Sequence, residues 1–425
     1  MRGETVRSLR RRTPLIAAVL AACTALAACG GGSGGGAGGG DVSSLTLYND
    51  KGAWKANFQD LGKASKAGTG IDLSPVGYTD ENAYQAFIKS SFRTSKRPDL
   101  FTWATGGQLQ DLVKQNLVAE TTGAWTKAIA DGDVPEALKQ YFTIDGKQYC
   151  VPLSVGYWVM YYNKRIFAEH NIEPPTTWAQ LMAAADTLKK AGITPFYQTN
   201  VLFSFVWFET LLAGTDPDAY EGLGKGTVKY TDPPVQHVMQ LWKDMIDKGY
   251  FNDPGVKTDP QAMVKTGQVA MANFGTWFSG SLNSLGMKSD SDYGLFTIPN
   301  VDPSLQKTSV IVEAGPLCSA ANAPHKAAVD KFNAWLFTAP GQVAWSNSRG
   351  DISFNPKAKT TDPLLTAQAS FVGGGQVRLL NRYFEATPAP VLTAALDAFG
   401  AFVTHPDNAQ AQLAKIQAAA DAYWK

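Results

Sequence analysis

The sequence predicts an α/β fold, with sheets covered by helices, organised as two or three domains. Three observations carry that reading. Strand-like and helix-like segments alternate along the whole chain. The 425 residues exceed one ordinary core, at about 150 residues per domain. A 44% hydrophobic content against 18% charged residues supplies enough apolar surface for packed cores and excludes global disorder.

The first element is a leader. Arg2, Arg7, Arg10, Arg11 and Arg12 form a basic n-region, and the apolar run 15–28 behind them is too short to span a bilayer. Residues 1–28 therefore read as a signal peptide. It ends in Leu26-Ala27-Ala28-Cys29-Gly30, which looks like a bacterial lipobox, so Cys29 is the expected lipid attachment. The Gly/Ser-rich stretch 29–44 reads as a flexible tether. The alternative is an ordinary signal peptide with an incidental cysteine. Both the general and the twin-arginine export routes stay open. The expected location is extracytoplasmic, anchored to the cell membrane by N-terminal lipid. No later apolar run reaches the roughly 18 residues of a span. With 38 basic and 37 acidic side chains the formal charge is +1. The leader's five arginines and one glutamate contribute +4 of it, leaving about −3 on the remainder. That balance excludes nucleic acid as the default partner.

Beyond the tether, Leu45-Thr46-Leu47-Tyr48 alternates as a strand, and Ile71-Asp72-Leu73 follows as another. Pro98 to Trp103 reads as a third. Tyr84, Phe87, Ile88 and Ser91 fall at helical spacing between them, as do Leu109, Leu112, Val113 and Leu117 afterwards. A helix is expected over 177–191, because Thr177 and Gln180 form a capping box and Gly192 supplies the stop. Further helices are expected over 235–248 and 326–337. Two more follow at the C-terminus, through Val391 to Phe399 and Leu413 to Tyr423.

Chemistry finds little foothold. His170, His237, His325 and His405 have no histidine or cysteine partner at zinc spacing. Gly31-Gly32-Ser33-Gly34-Gly35 matches a nucleophile elbow, but only within the tether. Gly222-Leu223-Gly224-Lys225-Gly226 lacks the Ser/Thr and the strand–helix context of a phosphate loop. No catalytic residue, metal or cofactor is expected. The aromatic residues say more. Trp103, Tyr157, Trp158, Trp277 and Trp345 sit at strand ends or in polar loops, where a flat ring can face the C–H side of a sugar. A place in the core is the alternative for each. Trp178, Trp242, Trp335 and Trp424 fall at helical spacing and are assigned to packing. Of the four cysteines, Cys150 and Cys318 remain in the exported part, either paired or as separate buried thiols.

Met160-Tyr161-Tyr162-Asn163-Lys164-Arg165-Ile166-Phe167, followed by Pro174-Pro175-Thr176-Thr177-Trp178-Ala179-Gln180-Leu181, closely resembles extracellular solute-binding proteins of the sugar ABC-importer group. These are the family 1, maltose-binding-protein-like lipoproteins and periplasmic proteins. Pro98-Asp99-Leu100-Phe101, Ala191 to Phe196, Gly267 to Met271, Gly275-Thr276-Trp277 and the run 327–350 continue the likeness in order.

The resemblance implies a class II periplasmic-binding-protein-like fold, two α/β lobes joined by a hinge that closes on a ligand. Lobe 1 would take 41–153 and 314–365, and lobe 2 would take 154–313 and 366–425. Crossings would fall near Pro152–Val155 and Glu313–Pro316, which places Cys150 and Cys318 where they could pair. By position at strand ends, the expected ligand contacts are Asn49, Asp50, Trp103, Tyr157, Trp158, Gln198, Trp277, Glu313 and Arg349. Trp158 and Trp277 would stack on sugar faces, with Trp103 or Tyr157 as a further platform. Asp50, Gln198, Glu313 and Arg349 would take hydroxyls. Arg349 could instead pair with Asp351, and Glu313 could be a hinge ion-pair partner. Tyr161, Tyr162 and Asn163 read as packing and turn residues. The implied role is a monomeric binding component, not an enzyme, that delivers a mono- or oligosaccharide to ABC permease subunits. Rival readings are a polyol or glycerophosphate binder, an exported glycosidase, and a sensor or adhesin.

Overall fold

The computed structural model describes residues 42–94 and 97–425. The leader, Cys29, nearly all of the tether and the Gly-rich match at 31–35 lie outside the described residues. Eleven strands are found among the described residues. They are β1 (Ser44–Asn49), β2 (Asp72–Gly77), β3 (Leu100–Thr102), β4 (Thr143–Ile144), β5 (Lys147–Gln148), β6 (Val151–Asn163), β7 (Thr194–Phe196), β8 (Val269–Gly275), β9 (Tyr293–Phe296), β10 (Thr308–Ser319) and β11 (Val377–Asn381). Nine of them form one sheet in the order β2-β1-β3-β10-β6-β8-β7, with β11 also on β10 and β9 also on β6, while β4 and β5 pair as a hairpin.

Helices cover this sheet, and their burial defines two cores. One gathers Leu45 to Tyr157 with Val310, Val312 and residues to Phe354. The other gathers Trp158 to Ile298 with Leu380 to Ala420. The long strands β6 and β10 run through both. They pair antiparallel, Glu313 opposite Gly156 and Gly315 opposite Ser154, and the register slips between Gly315 and Pro316. Pro316 faces Pro152 there. Neither ring nitrogen can donate to the ladder, so the pairing of β6 with β10 loses hydrogen bonds there, within the first core, whereas β6 passes to the second core between Tyr157 and Trp158. The lobe boundary expected at 365/366 falls in helix Pro363–Gly373, whose Leu364 packs against the second core and whose Val372 packs in the first, and β11 follows with Val377 in the first core and Leu380 in the second.

Local sequence accounts for the helices. Thr177 accepts from Gln180 N at 3.2 Å and Gln180 Oε1 accepts from Thr177 N at 3.1 Å, opening helix Trp178–Lys190. Gly192 beyond it has φ 77°. The helix expected from Val235 starts earlier, as Pro233–Asp247, because proline costs nothing at the first helical position. Asn163 caps Lys164–Glu169, accepting from Ile166 N at 3.1 Å. Gly222 to Lys225 lie in the last turn of helix Pro217–Lys225, not in a loop between a strand and a helix. Trp345 is not in a loop. It lies within helix Ala339–Arg349 and is 1% exposed, so it is a core residue. Cys150 and Cys318 are joined as a disulfide, both fully buried in the first core. Among the described residues no helix is long and apolar enough to cross a membrane.

Candidate ligand cleft

A cavity of about 620 Å³ opens between the two cores, directly over the crossing of β6 and β10. The first core contributes the segment after β1 (Asp50, Lys51, Trp54), Trp103 after β3 with Gln108 in the first turn of helix Gly107–Lys114, and the end of helix Ala339–Arg349 with Asp351. Ser154, Gly156 and Glu313 to Pro316 form the floor. The second core contributes Phe203, Trp277, Arg382, Phe384 and Glu385.

The floor carries a charge network. Arg382 Nη1 lies 2.9 Å from Glu313 Oε2, and its Nε donates to Glu385 Oε2 at 2.8 Å, with a second bond from Nη2 to Oε1. Burial works against the charge on Arg382, but Glu313 and Glu385 more than offset it and raise its pKa. Glu313 Oε2 also accepts from Trp277 Nε1 at 3.0 Å and Trp158 Nε1 at 3.3 Å. Glu313 is therefore an ion-pair partner at the crossing, and it fixes the rim of the Trp277 ring. At the first core's edge, Asp50 pairs with Lys51 at 2.9 Å and accepts from Thr102 Oγ1 at 2.6 Å. Arg349 does not pair with Asp351. Its guanidinium lies over the Trp54 ring, 3.8 Å from the centroid. Asp351 Oδ1 instead accepts from Thr276 Oγ1 at 2.8 Å and Ile352 N at 2.7 Å, and burial pushes its pKa up to about 6. Behind the floor, Glu209 is wholly buried and accepts from Tyr383 N at 2.8 Å. Desolvation pushes its pKa up to about 8.

Of the residues expected from sequence, Asp50, Trp103, Trp277, Glu313 and Arg349 meet on this cavity. The other four do not line it. Asn49 is 1% exposed and spends its amide on the turn, accepting from Lys51 N at 3.1 Å and donating to Val76 O at 3.2 Å. Tyr157 neighbours Gly156 on β6, and successive strand residues point to opposite faces, so its ring lines a second cavity behind the sheet. Trp158 is on the cleft-facing parity but is covered by Phe203, Phe274 and Trp277, leaving it 3% exposed. It packs against the Trp277 ring. Gln198 is 5% exposed, and its backbone exchanges hydrogen bonds with the Asn252 side chain at 2.8 and 3.0 Å.

Lys51, Trp54, Phe203, Arg382, Phe384 and Glu385 also line the cavity, beyond the positions expected from sequence. Signals existed for two groups. Asp50 to Trp54 places an aromatic in a polar segment straight after a strand, and Arg382 to Glu385 interleaves two charges with two aromatics. Phe203 offered none.

The chain matches the model of the bacterial extracellular solute-binding protein family over residues 58–372. An uncharacterised ABC transporter extracellular-binding protein of Pyrococcus horikoshii is 27% identical over 311 residues, 71% of this chain and 68% of that protein. The structure is similar to that of the bacterial solute receptor AcbH, described as having an exclusive preference for β-D-galactopyranose. The TM-score is 0.77 at 20% identity, covering 90% of this chain and 99% of that one. A chitin oligosaccharide binding protein gives a TM-score of 0.75 at 23% identity, with the same coverage. At those identities the likeness is one of fold, two domains around a cleft. With the match spanning most of its length, this chain belongs to the bacterial extracellular solute-binding protein family.

Proposed function

We propose that the chain is the lipid-anchored binding component of an ABC importer. It takes a carbohydrate into the cleft between its lobes and passes it, unaltered, to permease subunits as a monomer. The lipid would sit on Cys29. The observation that carries the ligand class is the wall itself. Trp54, Trp103, Phe203, Trp277 and Phe384 present ring surface, interleaved with carboxylates, guanidinium groups, Gln108 and Ser154. Flat apolar faces beside paired donors and acceptors are what a pyranose requires. The sugar-binding neighbours described above support the same class.

The charge pattern argues against the rival ligands. Two of the three cations on the wall are committed to carboxylates within the protein, which is a poor arrangement for a phosphate dianion. The same ion pairs occupy Asp50, Glu313 and Glu385, so these acids are held as structural anions and not as a proton donor and nucleophile for glycoside cleavage. The test is calorimetric titration of the chain lacking residues 1–29 with a panel of mono- and oligosaccharides. At least one should bind, and none should be cleaved. Trp277→Ala should weaken that binding by about 2 kcal/mol or more, roughly thirtyfold in Kd. A panel with no binding sugar would refute the ligand class, and release of a free reducing end would refute the absence of chemistry.

A further inference from the structure

The three cations of the cleft differ in one respect. Lys51 is matched to Asp50, and Arg382 is matched to Glu313 and Glu385. Arg349 has neither an ion pair nor a hydrogen bond to its guanidinium among the described residues. The acid two positions on, Asp351, spends its Oδ1 on Thr276 and the Ile352 amide. What holds Arg349 is the face of Trp54, at 3.8 Å from the ring centroid. That stacking fixes the plane of the guanidinium and leaves its edge, with five N–H donors, unanswered on the cavity wall. A charge drawn partly out of water without a partner is costly, and a fixed planar fork matches a carboxylate through two parallel hydrogen bonds. One free cation suits a monoanion, and a phosphate dianion would call for more.

We propose that the carbohydrate held in this cleft carries a carboxylate, that is, a sugar of the uronic acid class whose carboxylate docks on the outer edge of Arg349. The inference rests on the carbohydrate reading above and narrows it. It makes Arg349 the residue that selects acidic over neutral sugars.

The experiment titrates the chain lacking residues 1–29 with matched pairs: glucuronate and glucose, galacturonate and galactose, and acidic and neutral oligosaccharides of equal length. Glycerol 3-phosphate is added as a separate arm. In one pair or more the acid should bind at least about tenfold tighter than its neutral partner at low salt, with the preference shrinking as salt screens the contact. In Arg349→Gln that ratio should fall to about one, and Arg349→Lys, a point charge without the fork, should recover only part of it. The salt series needs no variant and so stands even if a substitution disturbs folding. Neutral sugars binding as tightly as their acids would overturn the proposal and leave the carbohydrate reading intact. So would a preference that survives Arg349→Gln. Tighter binding of glycerol 3-phosphate than of any sugar, or no sugar bound at all, would overturn both.

Discussion

Two cavities of the same size lie on opposite faces of the crossing strands, each about 620 Å³. The front one is walled by six aromatic rings and seven charged side chains, among them Asp50, Glu313, Arg349 and Arg382. The rear one is walled mostly by aliphatic and small residues such as Leu138, Ile352, Val372, Val377 and Leu379, with Lys307 its only charge. Volume therefore does not distinguish them. The difference lies in strand parity: Ser154 and Gly156 face forward, and Tyr157 between Gly156 and Trp158 faces back. The side of the sheet that can grip a polar solute is decided by alternate residues of one strand.

The largest effect should separate the two aromatics that sequence had placed together. Trp277→Ala, in front, should cost the thirtyfold or so in affinity given above, whereas Tyr157→Phe, behind, should leave Kd within about twofold. Calorimetry on both variants checks this, and equal losses would erase the distinction between the faces.

Glycines sharpen the same contrast. A Cβ on Gly280 would overlap the Arg349 carbonyl oxygen, where the lobes touch beside the front cavity, and one on Gly106 would overlap the Glu385 carbonyl oxygen at the opposite flank. Gly373, on the rear wall, has nothing within 4 Å of such an atom. Gly280→Ala should hold the lobes apart and weaken ligand binding by about tenfold, near 1.4 kcal/mol, with a larger radius of gyration in X-ray scattering of the liganded protein. Gly373→Ala should leave affinity unchanged and, as the last residue of helix Pro363–Gly373, alter stability by less than about 1 kcal/mol.

A further effect concerns stability against pH, and it arises behind the floor of the front cavity. Glu209, behind the charge network, has its pKa raised from 4.5 to about 8 by burial. The native state therefore keeps a proton that the unfolded chain gives up. The stabilising contribution of this group is complete below about pH 4.5 and declines as pH rises to about 8, at up to about 1.4 kcal/mol per pH unit. Glu209→Gln should flatten this part of the stability profile and make the variant more stable than the parent at pH 8.5. Urea melts across pH 5–9 would show it, and parallel profiles for both proteins would count against a neutral buried Glu209.

Much of the fold was legible because local rules fixed it. The capping box at Thr177 and the proline-opened helices are written in a few adjacent residues. The site was half legible. Positions following a strand did reach the cavity wall, as with Asp50 and Trp103, but adjacency alone put Tyr157 and Trp158 on one face, which a regular strand forbids. Arg382 and Glu385 reach the cleft only because β11 returns the chain beside β10, a pairing that joins segments distant in sequence. The partnering of Glu313 likewise became visible only once β10, β6 and Arg382 were placed together.

The most direct measurement is a crystal structure of the chain lacking residues 1–29, grown with the tightest-binding sugar of the panel. Ligand density is expected in the front cavity, with one ring face against Trp277 and hydroxyl or carboxylate oxygens within hydrogen-bonding distance of Arg349 and Asp50. Density in the rear cavity beside Tyr157, or a front cavity holding a ligand that touches none of these three residues, would contradict it.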